Sequence, residues 1–345
     1  MKYSEAQKCF IEAFRVYTVV HGKGHITVAT CLEKIGTTYL SQDQLNNATD
    51  NLRRALKLFT ENVGGISSQV AKVLLTIGRV EAKKGASDIA IDYFKQSLSI
   101  SKELDQDALV AAALLEIGAV LESCGKKVEA MECYKESLRL STGAEARETR
   151  AQALNRIGSA LAELREFDEA LQVFDEALTV NKNLKGDKCV EVGQTIHNIA
   201  GVYEAMADFD KSQKLFQEAH AILIDKLGPN DLAVALVLNN LGINHARRKE
   251  FSTAVELCSE ALTVRKDILG MKHLDTCDAL YNLATILDEW GKQPEAMKFF
   301  NEALESYRSA LGDDDVEVAN CLKLIGNLHS INGEDDLATD RKSVV

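Results

Sequence analysis

The sequence predicts an all-α fold: a right-handed superhelical α-solenoid of antiparallel helix pairs. Three observations predict it. An apolar residue followed by a small one recurs as Ile35-Gly36, Ile77-Gly78, Ile117-Gly118, Ile157-Gly158, Ile199-Ala200, Leu241-Gly242, Leu283-Ala284 and Ile325-Gly326, at steps of 42, 40, 40, 42, 42, 42 and 42 residues. A second series keeps the same steps: Ala48, Ala90, Ala130, Ala170, Ser212, Ala254, Ala296 and Ala338, each followed four residues later by a bulkier side chain such as Leu52, Phe94, Tyr134 or Phe216. Two prolines and 6% aromatic residues leave few turn and strand formers for an all-β chain. A period of 40–42 residues is the signature of stacked helix pairs, each burying its apolar face against its neighbours.

The elements follow in order. A half-unit, residues 1–22, opens the chain in a second helix over 3–20. Full units begin near 26, 68, 108, 148, 190, 232, 274 and 316, and the last stops inside its second helix, so that 1–345 reads as one solenoid. In each unit, apolar spacings of three and four define two amphipathic helices. Glycine costs about 1 kcal/mol against alanine inside a helix. A Gly or Ala at the same place in every unit therefore implies a close approach by the paired helix. Turns within units are short, as at Lys249-Glu250-Phe251, and Pro294 suits a first helical position, where a missing N–H does no harm. Between units stand Gly22, Gly64, Gly186, Gly228, Gly270 and Gly312, which read as helix C-terminal signals. The two 40-residue steps lack this Gly and should turn more tightly near 104–108 and 142–145. Neither end carries a polar cap, which is compatible with a piece of a longer chain. The final Ser343-Val344-Val345 reads either as a truncated helix or as a C-terminal ligand of the PDZ type.

The stretch 227–270, "LGPNDLAVALVLNNLGINHARRKEFSTAVELCSEALTVRKDILG", resembles a tetratricopeptide repeat in the long form of the kinesin light chain family. The resemblance covers essentially the whole chain and implies the solenoid fold. It also implies a protein- or peptide-binding role. Kinesin light chains are associated with acidic, Trp-containing cargo peptides and a basic groove. This sequence departs from that pattern in its acidic C-terminal half, and it contains no heptad coiled coil, so motor attachment is not implied.

Charge and composition narrow the function. The net charge of −12 disfavours a nucleic-acid partner, which requires a basic footprint. No run of 18 or more apolar residues predicts a membrane span, and the charged N-terminus is unlike a signal peptide. The eight cysteines form no CxxC pair, and they read as reduced, structural thiols of a cytoplasmic protein.

No catalytic constellation, phosphate loop or cofactor site is evident, so the chain is not expected to be an enzyme or to carry a cofactor. Gly22-Lys23-Gly24 lacks the strand and the third glycine of a dinucleotide fingerprint. His21 and His25 have helical metal-ligand spacing but flank glycines with no third ligand, and no metal is expected. His245 and His329 occupy the place of Tyr39 and Tyr203 and read as packed or partly exposed histidines. Trp290 reads either as a filler between units or as a contact anchor.

First helices should line the concave side of the solenoid. The residue before each Ile or Leu of the first series reads Lys34, Thr76, Glu116, Arg156, Asn198, Asn240, Asn282 and Leu324. Three successive asparagines thus form a column, Asn198, Asn240 and Asn282. An asparagine amide offers donors and an acceptor that can clamp the backbone of an extended peptide, and the family resemblance implies that role. The alternative is a set of solvated or helix-to-helix hydrogen bonds. Asn239 joins the candidate set, as do Arg247 and the basic group Lys34, Lys72, Arg79 and Lys83. The expected guest is an extended peptide or helix, its acidic part near the first units and a basic part further along. The alternative function is structural, with open repeat ends associating end to end.

Overall fold

The computed structural model describes residues 2–342, with side chains over 5–330; the residues Ser343-Val344-Val345 lie outside it. Sixteen α-helices and one short 3-10 turn make up the described residues, which contain no strand. The fold divides into two compact units, Met1–Val180 and Asn181–Val345, with the division inside a helix.

The first unit contains α1 (Lys2–His21), α2 (Ile26–Ser41), α3 (Leu45–Val63), α4 (Ser68–Lys83), α5 (Ser87–Glu103), α6 (Asp107–Ser123), α7 (Lys127–Leu140), a 3-10 turn at Ala144–Ala146, α8 (Arg147–Glu163) and most of α9 (Phe167–Lys185). Each pair closes through the two sequence series. A Cβ placed on Gly118 would lie 2.5 Å from the Tyr134 ring, and the ring would have to move. Small polar residues also bind the pairs: Ser97 Oγ donates to the Ala71 carbonyl at 2.8 Å, and Ser137 Oγ to the Ala111 carbonyl at 2.7 Å. α4 touches α6, and α6 touches α8, so the first helices line the inner face of this unit; second helices make no comparable contact with one another.

The second unit contains α10 (Val190–Ala205), α11 (Phe209–Leu227), α12 (Leu232–Arg247), α13 (Phe251–Leu269), α14 (Leu274–Glu289), α15 (Gln293–Leu311) and α16 (Val316–Lys342). Here too first helices meet, α10 with α12 and α12 with α14. A Cβ on Gly242 would lie 2.5 Å from Cys258 Sγ and 3.0 Å from the Ala254 carbonyl oxygen, so Gly242 is the price of a close helix pair. Trp290 packs partly buried against the core of α12 to α16, stacked on Phe251 with the Lys292 ammonium 3.8 Å from its ring centroid. His245 is buried and bonded to Glu250, whereas His329 is exposed.

The turns inside units use a device the pattern did not reveal. Asp43, Gly85, Gly125, Arg165, Ala207, Lys249 and Gly291 all take a left-handed φ, between 58° and 80°, at the same place in seven units. Four are not glycine, and each accepts a strain of about 1 kcal/mol for the reversal. The last unit differs from expectation. α16 runs unbroken through Gly333, and a helix cannot fold back on itself unless one residue leaves helical φ, so the predicted second helix beginning before Ala338 is a continuation of the first.

Candidate functional site

The asparagine column lies on the inner helices of the second unit, Asn198 on α10, Asn240 on α12 and Asn282 on α14, and all three are half-buried. His197 links two of them. Asn240 Nδ2 donates to His197 Nε2 at 2.9 Å, which places the imidazole proton on Nδ1, facing Asn198 Oδ1 at 3.4 Å. Burial pulls the His197 pKa down, so the ring is neutral and suited to these two roles. Asn240 keeps one amide hydrogen beyond this network, and Asn198 keeps its whole NH2 group. The inter-helix bonding and the free donors therefore coexist.

Asn239 is a correction to the expected set. It is 3% exposed, donates to Asn240 Oδ1 at 3.4 Å, and leaves its own Oδ1 buried without a partner. Its position, one residue before Asn240, turns it about 100° around the helix and into the packed face.

The basic residues of the first unit are exposed or half-exposed on α2 and α4, but three of them are engaged. Arg79 Nε donates to Glu116 Oε1 at 2.7 Å, and Lys83 Nζ donates to Asp43 Oδ1 at 3.3 Å. Lys34 lies 3.4 Å from its neighbour Glu33. Lys72 is exposed and makes no ion pair among the described residues. The predicted basic face is thus partly neutralised by carboxylates of adjacent repeats, which the spacing of the basic residues alone did not show.

A carboxylate position on the inner helices proves informative. It is Glu122 in the first unit and Glu204 and Asp288 in the second, five residues after Ile117, Ile199 and Leu283; Glu122 and Glu204 contrast most clearly. Glu122 Oε2 accepts from Tyr134 Oη at 2.8 Å and from Arg156 Nη1 at 3.1 Å. Glu204 has no such donors: Phe216 stands at the Tyr134 place, and Asn240, engaged with His197, stands at the Arg156 place. Glu204 Oε1 is buried with no hydrogen-bond partner. Burial pushes its carboxyl up to about 7, opposed by the charge of Arg247. Arg247 is exposed on α12 and makes no hydrogen bond among the described residues. Aligning the units place by place would have exposed this difference in the sequence.

No group of three or more His, Cys, Asp or Glu side chains among the described residues is arranged to hold a metal ion. The eight thiols are unpaired, and burial raises Cys258 to about 12 and both Cys277 and Cys321 to about 11. Among the described residues, no helix is long and apolar enough to cross a membrane.

The tetratricopeptide repeat model matches residues 1–61, 69–142, 149–225, 191–266 and 231–309. The chain belongs to the tetratricopeptide repeat family. No curated protein matches it. Among solved structures, it is similar to the apo quorum sensor NprR from B. thuringiensis, at 14% identity and a TM-score of 0.69, over 88% of this chain and 83% of that one. BtubC (BKLC) from P. vanneervenii aligns at 20% identity and a TM-score of 0.54, over 66% of this chain and 92% of that one. A Rap protein complexed with competence and sporulation factor aligns at 14% identity and 0.52, over 96% and 99%. At these identities the likeness is one of fold: an all-α solenoid of tetratricopeptide repeats.

Proposed function

We propose that this chain is a non-enzymatic, cytoplasmic scaffold or adaptor that binds an extended peptide or helix of a partner protein along the inner face of its repeats. The observation that carries the reading is the asparagine column. Asn198, Asn240 and Asn282 repeat at one place on three successive inner helices, half-buried, and Asn198 and Asn240 keep amide donors beyond their network through His197. Amides at the 42-residue repeat can hold backbone carbonyl groups of a guest without reading its side chains. The same fold occurs in a Rap protein complexed with competence and sporulation factor, which supports a guest-binding role. Arg247 and, in the first unit, Lys72 are exposed cations without an ion pair among the described residues, able to meet acidic groups of a guest.

Affinity capture from a lysate with crosslinking, followed by mapping of the crosslinks, tests this. Replacing Asn198, Asn240 and Asn282 together by alanine should leave helicity unchanged and weaken capture of the crosslinked partner at least tenfold. Undiminished capture by the triple variant overturns the reading.

A second reading, self-association, is favoured by α1, where Val16, Val19 and Val20 are exposed by 48%, 81% and 65%. Contiguous apolar surface of this kind marks association faces. Sedimentation over a hundredfold concentration range separates the two readings. Growth of mass with concentration, lost when the three valines become serine, supports self-association.

A further inference from the structure

We propose that Glu204 is the point at which the second unit takes a basic side chain, arginine or lysine, of its bound peptide. The inference rests on the reading that this inner face holds an extended peptide, and it adds the chemistry of one guest residue. The first unit shows what the position requires. Glu122 is satisfied by a phenol hydroxyl from its own pair and a guanidinium from the next repeat. In the second unit both donors are absent, because the phenol is replaced by Phe216, which packs against His197 with ring centroids 5.4 Å apart, and the guanidinium by Asn240. A carboxylate that loses every donor while staying half-buried carries a desolvation penalty that protonation or a new donor relieves. The unpaired Oε1 is buried, while the Glu204 side chain as a whole is only partly covered and lies on the same helix stripe as His197, seven residues on. A guest guanidinium or ammonium would restore there what Arg156 supplies in the first unit.

The charged and titratable groups around it are few. Arg247 on α12 acts on Glu204 through its charge without bonding to it. His197 on α10 is neutral and engaged with two asparagines, and His245 on α12 is engaged with Glu250. The paired helix α11 presents Phe216 at the Tyr134 place. Glu204 titrates near 7, so its ionised fraction rises about tenfold between pH 6 and pH 8. Binding of a cation to it should strengthen in the same direction.

The test uses the full chain with 13C-labelled glutamate and three capped pentapeptides, Ala-Ala-Xaa-Ala-Ala, in which Xaa is arginine, lysine or glutamine. In the free protein the Glu204 carboxyl should titrate near pH 7. At pH 8 the arginine and lysine peptides should move its resonance and bind several-fold more tightly than the glutamine peptide. That preference should fall toward parity at pH 6. The relative strength of the two basic peptides tells guanidinium from ammonium as the preferred guest. Glu204→Gln should abolish the preference while preserving helicity. Phe216→Tyr should blunt it by supplying an internal donor. A Glu204 midpoint between 4 and 5 in the free protein means that Arg247 already fills the place, and overturns the inference. It is also overturned if all three peptides shift the side-chain amides of Asn198, Asn240 and Asn282 equally while Glu204 stays silent; the groove reading then survives. If no peptide moves those amides, peptide capture at this face fails, and the role of Glu204 fails with it.

Discussion

Glu122 and Glu204 occupy one place in the repeat and live in opposite conditions. In the first unit the carboxylate is closed by Tyr134 and Arg156. In the second no donor closes it, and one oxygen is buried and unpaired. The backbone is the same helix pair in both. The difference comes from two substitutions at other places, one on the paired helix and one on the next repeat. A repeat can therefore keep its fold and exchange a structural contact for a vacant acceptor, because the packing series and the polar places lie on different helix faces.

Four substitutions break or sharpen this comparison. The largest effect should come from Gly118→Leu, which drives a side chain into the Tyr134 ring and pushes the hydroxyl off Glu122. Overpacking of this kind should cost about 3 kcal/mol, measured by urea denaturation. Gly242→Leu, which meets Cys258 and a backbone carbonyl instead, should cost about 1–3 kcal/mol. Neutral outcomes at both would sink the close-approach explanation of the glycines. Next, Tyr134→Phe copies the second unit into the first. It removes a hydrogen bond to a charged acceptor and should destabilise by about 1–2 kcal/mol, measured by urea denaturation. The smallest effect is a gain. Glu204 holds its proton to about pH 7 when folded, against an ordinary value of 4.5. The folded chain binds more protons than the unfolded chain between those values, so this group's contribution makes stability fall as pH rises from about 4.5 to 7. Glu204→Gln removes that loss. It should raise stability by about 1 kcal/mol at pH 8, and the gain should vanish near pH 4. A gain that persists at pH 4 would point to a packing effect instead.

The architecture was legible because the interactions that fix it repeat. Ile117-Gly118 with Tyr134, and Leu241-Gly242 with Cys258, are steric pairs that recur at a constant step, and a periodic signal rises above composition. The inter-unit glycines were legible for the same reason, and they take the left-handed φ that ends each helix: Gly64 and Gly228 stand at 85° and 86°. The column of Asn198, Asn240 and Asn282 was visible as a register. Its wiring through His197 was not, since a hydrogen bond between helices depends on rotamers and on which neighbour arrives first. Asn239 shows the limit most sharply: one residue from the column, it is turned into the packed face. The basic set meets a different limit. Arg79 and Lys83 were placed on the right helix, but their partners Glu116 and Asp43 come from adjacent repeats, and charge counts along one helix do not register them.

By itself the sequence determined the helix pairs, their register and the inner position of the asparagines, because each follows from the volume and periodicity of side chains along one chain. Only the tertiary structure decided which polar groups are spent and which remain. Glu122 is satisfied, Glu204 is vacant, and Arg79 is neutralised, because the donor or acceptor that settles each sits on another helix, and burial sets what its absence costs.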